Sequence, residues 1–191
     1  MIQDLIIIPN FFDNPQEIVH LAKQHTFYSN SEHPQDSSTE IYYGGKRTEE
    51  LSGKKEKTIL SQILYKKLIT DNVSNDAKVK FEYFGLSYFH YFENTYYGGE
   101  SEIHQDSGLM SGVIYLNPIH LDNPENHGTL VFNNNRMHSF TMPYVYNTMI
   151  MYRSDYAHCP LAGFGDCLDN ARLSMIFTID KFTLEATRNT L

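Results

Sequence analysis

The sequence predicts a mainly β fold, a sandwich or barrel, with two flanking N-terminal helices. From residue 79 onward, short runs rich in Tyr, Phe, Val, Ile and Thr alternate with Gly, Pro, Asn and Asp, which is typical of short strands joined by turns. Before that point, two stretches carry apolar residues at helical spacing. The 191 residues suit one domain over 1–191, with an N-terminal helical support and long loop (1–78) and a β core (79–182).

The N-terminal part begins with a predicted strand and a predicted helix. Residues 4–9 (DLIIIP) form an apolar run that a proline ends, as in a short buried strand. Asn14 is a suitable N-cap and Pro15 is tolerated at the first helical position. We expect this first helix to end near Thr26.

A long polar and aromatic stretch, 28–55, separates the first helix from the second. It predicts a loop that could include a short strand at 40–43, and its length makes it a candidate lid over a binding site. Residues 96–102 are a second candidate lid. The following stretch, 56–70, predicts an amphipathic helix because its apolar side chains fall on one face. These side chains are Ile59, Leu60, Ile63, Leu64 and Leu68.

The β region contains several predicted strands, each bounded by turn residues. They are 79–92, 101–105, 111–116, 128–132, 148–153, 156–159 and 172–180.

The composition excludes several classes of protein. With 15 Lys and Arg against 23 Asp and Glu, the net charge of −8 disfavours a nucleic-acid partner. The longest aliphatic run, 5–8, is too short to cross a bilayer, which takes about 20 apolar residues. The N-terminus lacks the basic region of a secretory signal, and Cys159 and Cys167 lack a CxxC spacing. We therefore expect a cytoplasmic protein with free thiols and no membrane partner.

His104 and Asp106 form an H-x-D motif, which is a candidate metal site. Residues i and i+2 of a strand project to the same face, so the imidazole and the carboxylate can converge on one ion. Two His and one carboxylate on one face of Fe(II) leave positions open for substrate and oxygen. A second H-x-D, His120 and Asp122, is also present, and a surface His beside a solvated Asp is the alternative interpretation of either motif.

The order of the features that follow separates the two motifs. Residues 112–117 (GVIYLN) predict a strand that ends in a turn, 128–132 (GTLVF) predict another, and then come His158 and Arg172. This order resembles that of the Fe(II)- and 2-oxoglutarate-dependent dioxygenases, and the prolyl-hydroxylase-like branch in particular. The resemblance covers about residues 85–180. The second H-x-D falls after the YLN strand, where that family has no ligand, so we interpret it as loop.

The resemblance implies a role for each of several residues. The implied iron ligands are His104, Asp106 and His158. The implied contacts to the far carboxylate of 2-oxoglutarate are Arg172, Ser174 and Tyr115, with Tyr91 as a weaker candidate for lining the pocket. With these roles, the charges of the iron, the Asp, the Arg and 2-oxoglutarate sum to zero, which suits a partly buried site. Taken singly, each residue also has a structural explanation, such as a core Tyr or a solvent-facing Arg.

The resemblance also implies a fold, cofactors and a reaction. The fold is a double-stranded β-helix, that is, a jelly roll or cupin-like barrel. The cofactors are Fe(II) and 2-oxoglutarate, with O2 as co-substrate, and the products include succinate and CO2. We expect hydroxylation of a C–H bond in a peptide side chain or a small molecule. The alternative is a cupin-like barrel that binds a metal or a small ligand without oxygenase activity. The sequence indicates neither the particular substrate nor the oligomeric state.

Overall fold

A computed structural model describes residues 4–34, 43–51, 53–72, 77–99, 102–132 and 139–186. Within these ranges the chain forms two α-helices, α1 (Pro15–Ala22) and α2 (Lys55–Asn72), and ten strands. The strands are β1 (Leu5–Ile8), β2 (Tyr28–Ser29), β3 (Lys46–Arg47), β4 (Ala77–Phe92), β5 (Met110–Tyr115), β6 (Thr129–Phe132), β7 (Ser139–Met142), β8 (Met149–Arg153), β9 (His158–Pro160) and β10 (Arg172–Ala186). A short 3-10 helix, Pro124–His127, precedes β6.

The strands form two antiparallel sheets, which confirms a mainly β fold. The larger sheet has seven strands in the order β1-β8-β5-β10-β4-β3-β2, and the smaller has three in the order β7-β6-β9. Neighbours in the large sheet are mostly distant in sequence, so its chain connections cross between the sheets, as in a jelly-roll-like fold.

Side chains of the large sheet alternate between two apolar clusters. Along β8, Met149 and Met151 belong to one cluster, and Ile150 and Tyr152 belong to the other. The first cluster also contains buried side chains of α1 and α2, and we call the sheet face that joins it the outer face. The second also contains side chains of the small sheet, and we call the face that joins it the inner face. Because both faces of β5 and β8 are covered, the sequences of these strands are mostly apolar and do not alternate with exposed polar residues.

Several elements differ from the sequence-based expectation. The strand predicted at 101–105 is absent from residues 102–105, where His104 makes only an isolated bridge to β9. Helix α1 ends four residues before Thr26, because apolar residues at helical spacing do not continue beyond Leu21 and Ala22. Strand β7 was not predicted, since its alternating exposed side chains make SFTM resemble a loop.

The predicted loop 28–55 contains the two-residue strands β2 and β3, which pair with each other. Of the strand predicted at 40–43, residues 40–42 lie outside the described residues. Among the described helices, none is long and apolar enough to cross a membrane.

Candidate metal centre

Main-chain hydrogen bonds place three potential metal ligands next to one another. His104 N–H donates to the carbonyl of His158 at 3.0 Å, and His158 N–H donates back to His104 at 2.9 Å. Asp106 N–H then donates to the carbonyl of Ser154 at 3.1 Å. The segment that carries the H-x-D motif therefore runs antiparallel to the start of β9, with its two ligands facing the third.

The three side chains converge on one point. Their ligand atoms, one nitrogen from each imidazole and one carboxylate oxygen, lie within 4.8 Å of one another. His104 Nε2 is 3.6 Å from one oxygen of Asp106, and His158 Nε2 is 3.4 Å from the other. In the part of the chain that the structure describes, this is the one group of three such side chains close enough to hold a metal.

Backbone carbonyls fix the orientation of both imidazoles. The Nδ1 of His104 donates to the carbonyl of Glu102 at 2.8 Å, and the Nδ1 of His158 donates to the carbonyl of Tyr156 at 3.0 Å. A carbonyl only accepts, so each Nδ1 carries a proton, and in a neutral imidazole Nε2 is then the nitrogen that can bind a metal. This arrangement is the usual support of metal-binding histidines. A set of two imidazoles and one carboxylate suits Fe(II) with open coordination positions.

Burial favours a neutral His158 imidazole, whereas His104 lies on the solvent-exposed side of the centre. Burial lowers the pKa of His158, an effect that the Asp106 carboxylate opposes. The ring of Tyr152 packs against the His158 ring, with centroids 4.9 Å apart. The His104 side chain, in contrast, is 53% exposed, which leaves an approach to the centre from that side.

Arg172 places a buried guanidinium on the inner face. Its side chain is among the largest fully buried ones, and Nη2 donates to the carbonyl of Gly128 at 2.8 Å. Its Nε and Nη1, and the buried Oγ of Ser174, make no hydrogen bond of normal geometry. Burial lowers the pKa of Arg172, and the neighbouring Tyr115 hydroxyl opposes that shift. Buried donors without partners are costly, so this group of atoms fits a carboxylate that accepts from the guanidinium and the hydroxyl.

Two further contacts shape this cationic pocket and connect the sheets. The hydroxyl of Tyr115 is hydrogen-bonded to Oγ1 of Thr129 at 2.8 Å, which joins β5 of the large sheet to β6 of the small one. Gly128, just before β6, must lack a side chain, because a Cβ there would lie 1.7 Å from the carbonyl oxygen of Met142. The carbonyl of the same Gly128 accepts from Arg172 Nη2.

The structure brings six of the seven predicted site residues into two neighbouring groups. The metal-ligand group contains His104, Asp106 and His158, and the pocket group contains Arg172, Ser174 and Tyr115. Ser174 and Tyr115 are register partners on β10 and β5, so they share the inner face. Tyr152 lies within electrostatic reach of both groups, since Asp106 raises its pKa and Arg172 lowers it, although burial is the main cause of the raised value.

Tyr91 is placed elsewhere. It belongs to the outer-face cluster and packs edge-on against Phe27, with ring centroids 5.1 Å apart. It also lines a small cavity of about 180 Å³ with Lys46 and Glu93, two residues that form an ion pair. Alternation along β4 explains the difference, because His90 and Phe92 are the register partners of Ser174 and Arg172.

Sequence reasoning missed several residues of the inner face. Thr129 and Tyr152 have a signal in the alternation of their strands, because residues two apart on a strand share a face. The placement of His90 on the inner face also follows from alternation along β4, because His90 lies two positions before Phe92. Arg47 has no comparable signal, since β3 is only two residues long.

The sequence itself matches no protein-family model and no curated protein. Solved structures nevertheless resemble most of the chain. A prolyl hydroxylase from Trichoplax adhaerens, in complex with a hypoxia inducible factor oxygen degradation domain peptide fragment, has a TM-score of 0.62 at 14% identity, covering 93% of this chain and 84% of that one. A 2OG-Fe(II) oxygenase family oxidoreductase from Burkholderia pseudomallei has a TM-score of 0.61 at 11% identity, covering 94% and 85%.

A prolyl-4-hydroxylase from Pseudomonas putida has a TM-score of 0.59 at 12% identity, and the likeness covers 93% of this chain and 92% of that one. Identities this low show a common architecture, and the chemistry has to be argued from the side chains. The chain therefore has the fold of the Fe(II)- and 2-oxoglutarate-dependent oxygenases, with structural neighbours that include prolyl hydroxylases.

Proposed function

We propose that the chain is a Fe(II)- and 2-oxoglutarate-dependent oxygenase that hydroxylates a C–H bond of a protein side chain or a small molecule. In the balanced reaction, the substrate, O2 and 2-oxoglutarate give the hydroxylated substrate, succinate and CO2. The shared fold supports this proposal, and so does the convergence of His104, Asp106 and His158. The peptide bound to the Trichoplax neighbour supports a protein side chain as one of the two substrate classes.

The observation that carries the proposal is the incomplete hydrogen bonding of Arg172. Metal binding alone does not explain why the Nε and Nη1 of a buried guanidinium make no hydrogen bond of normal geometry. It also does not explain the neighbouring Ser174 hydroxyl, which is in the same condition. A dicarboxylate that reaches from the metal to this pocket would accept from these donors and neutralise the charge. The residues present therefore fit 2-oxoglutarate as well as the iron.

Each group of residues has a distinct task in the proposed reaction. His104, Asp106 and His158 would hold the ion through two nitrogens and one oxygen. Arg172 and Ser174 would bind the far carboxylate and so orient the cosubstrate. The buried ring of Tyr152 closes the space beside His158 and excludes water there. When bound, iron and 2-oxoglutarate supply the oxidising chemistry, as cofactors do in general.

The test is anaerobic titration of the purified protein with Fe(II) and 2-oxoglutarate. We expect a visible absorption band from the chelate, and we expect Arg172→Gln to weaken 2-oxoglutarate binding at least about 30-fold, since about 2 kcal/mol of charge-assisted hydrogen bonding is lost. Binding of Fe(II) alone should change less than about threefold in this variant, because Arg172 is not among the three metal ligands.

Lys23→Gln is a matched control that removes a positive charge from the surface, where Lys23 pairs with Asp169. It should leave both affinities unchanged. If the folded wild-type protein binds Fe(II) but shows no band with 2-oxoglutarate, the proposal fails and a metal-binding barrel without oxygenase activity is the better description.

A further inference from the structure

Tyr152 connects the two sheets beside the metal centre. It lies on β8 of the large sheet, on the inner face, and its ring packs against that of His158, which begins β9 of the small sheet. The two ring centroids are 4.9 Å apart, with an angle of 61° between the ring planes. Its register partner on β5 is Ser111, which is hydrogen-bonded to Ser154 at 2.9 Å. Tyr152 is therefore held directly beside a candidate metal ligand.

The Tyr152 side chain is buried, with 1% of the residue exposed, and its hydroxyl has no hydrogen-bond partner among the described residues. Burying a hydroxyl without a partner is unfavourable, because the group gives up its hydrogen bonds to water. A phenylalanine in the same position would make the ring contact with His158 without this cost. The hydroxyl is therefore explained by a partner that is not part of the described chain.

Two charged groups interact with Tyr152 and indicate where that partner lies. Burial raises the pKa of Tyr152, the Asp106 carboxylate raises it further, and Arg172 opposes the shift. Tyr152 is thus within electrostatic reach of a metal ligand and of the buried guanidinium that fits the far carboxylate of 2-oxoglutarate. A molecule that extends from the metal to Arg172 therefore runs close to Tyr152.

The exposure of the two histidines separates the cosubstrate from the substrate. The side chain of His158, which Tyr152 contacts, is 7% exposed, whereas that of His104 is 53% exposed. A substrate that arrives from solvent reaches the centre on the side of His104. Tyr152 lies on the buried side, so the partner of its hydroxyl is the cosubstrate.

The two ends of 2-oxoglutarate need different donors. Arg172 and Ser174 fit the far carboxylate. A 2-oxo acid chelates a metal through its keto oxygen and one oxygen of the adjacent carboxylate, which leaves the second carboxylate oxygen to the protein. In a buried site that oxygen requires a hydrogen-bond donor. The Tyr152 hydroxyl, next to His158, is suitably placed to be this donor.

We propose that Tyr152 is a cosubstrate-binding residue whose hydroxyl donates to the carboxylate adjacent to the keto group, at the end of 2-oxoglutarate that the metal holds. This inference rests on the proposed function, and it adds a donor at the metal end to those of Arg172 and Ser174 at the far end. A phenol suits this position, because burial disfavours its ionised form and the hydroxyl keeps the proton that it donates.

The test compares two probes on the protein loaded anaerobically with Fe(II). 2-Oxoglutarate has both ends, whereas oxalate reproduces the chelating end alone. Calorimetry measures both affinities. Tyr152→Phe should bind either probe at least about 10-fold more weakly, which is the effect of losing one hydrogen bond to a charged acceptor. Arg172→Gln should bind 2-oxoglutarate more weakly and oxalate as the wild type does.

The visible band of the complex with 2-oxoglutarate gives an independent readout. A hydrogen bond to the chelating group lowers the energy of the orbital that accepts the electron, so Tyr152→Phe should move the band to shorter wavelength. Arg172→Gln acts at the other end and should leave the band position unchanged at saturating 2-oxoglutarate. Fe(II) alone should bind Tyr152→Phe as tightly as the wild type, because Tyr152 is not among the three metal ligands.

Tyr144→Phe is the matched control, because it removes a buried hydroxyl from the same inner-face cluster. The Tyr144 hydroxyl accepts from the N–H of Asn117 at 2.9 Å and donates to the Asn117 carbonyl at 3.0 Å. Its loss should lower the melting temperature of the metal-free protein and leave the affinity for oxalate unchanged. Tyr152→Phe should do the opposite, since its hydroxyl gains a partner only when the cosubstrate binds.

The inference is overturned if Tyr152→Phe binds oxalate like the wild type, or if Tyr144→Phe loses as much affinity for oxalate. A lower melting temperature of metal-free Tyr152→Phe would also count against it, because the hydroxyl would then have a partner within the chain. Absence of the visible band in the folded wild type would instead contradict the proposed function.

Discussion

Burial decides the protonation of single residues on the inner face, and His90 is the extreme case. Its side chain is 7% exposed and its ring lies against Phe92, with centroids 4.1 Å apart. Burial lowers its pKa to about 3, despite the hydrogen bond to the Gly44 carbonyl. A neutral His90 donates one hydrogen bond, to the Gly44 carbonyl, and adds no charge to the inner face.

This shift predicts that acid destabilises the fold through His90. An unfolded chain binds a proton at this position near pH 6.5, whereas the folded chain does so only near pH 3. The stability that a neutral His90 provides is thus complete above pH 6.5 and is lost as the pH falls towards 3, at up to about 1.4 kcal/mol per pH unit.

The measurement is urea unfolding at several pH values between 7 and 4. His90→Gln can still donate to the Gly44 carbonyl but cannot titrate, so its free energy of unfolding should fall less steeply than that of the wild type. Equal slopes for both proteins would contradict the pKa of about 3.

At the residue scale, the sequence predicted those site residues that lie in a recognisable order. The three candidate metal ligands and Arg172 follow one another in an order that resembles a known family. The structure places the three candidate ligands close to one another and buries Arg172 on the inner face. Arg47 could not be predicted, because it reaches the inner face through a two-residue strand whose partner is more than 40 positions away. Local patterns carry no information on such a pairing.

At the scale of elements, the burial of both faces of the central strands positions the site. Strands β5, β8 and β10 have apolar side chains on the outer face, where buried residues of the helices join the same cluster. The inner face is then available for Arg172, Ser174 and Tyr115. Removing apolar contacts on the outer face should therefore affect stability first, and the site only through the stability of the sheet.

Leu60 of α2 allows a direct test of whether outer-face packing affects stability without affecting the site. It is fully buried in the outer-face cluster, so Leu60→Ala should lower the free energy of unfolding by about 2–4 kcal/mol. The affinity of the remaining folded protein for Fe(II) and 2-oxoglutarate should be unchanged. Denaturant unfolding measures the first quantity and anaerobic titration the second.

Gln62→Ala is the control on the same helix, because Gln62 is exposed. Its effect on stability should be within about 0.5 kcal/mol of zero. A loss of cofactor affinity in Leu60→Ala under conditions where the protein is folded would show that the outer face also shapes the site.

Elements with strong periodicity or an apolar run were predicted, whereas the short, partly exposed strands β2, β3 and β7 were not. The predicted strand 79–92 corresponds to β4, and the predicted helix 56–70 corresponds to α2, within a few residues. The strand predicted at 101–105 differs because its residues turn into the metal centre after a single bridge at His104. Strand β7 was missed because one of its faces is exposed.

At the scale of the whole molecule, the metal centre connects two distant parts of the chain. His104 and Asp106 precede β5, and His158 begins β9 in the other sheet. An ion that binds all three side chains is bound only by the folded chain. Its binding free energy therefore adds to the free energy of unfolding.

We expect Fe(II) under anaerobic conditions, or Zn(II), to raise the melting temperature. At 100 times the dissociation constant the gain is about 2.7 kcal/mol, which corresponds to roughly 5–10 °C for a chain of this size. His104→Ala should abolish the increase. His120→Ala removes the exposed histidine of the other H-x-D motif and should keep it. An equal increase in both variants would indicate that the ion binds elsewhere.

The reciprocal backbone hydrogen bonds between His104 and His158 have a consequence for how the protein acquires its ion. The spacing of the two imidazoles is set by peptide groups, so it is established as soon as the chain folds. We expect iron to bind a preformed site and to exchange with solvent without any refolding of the chain.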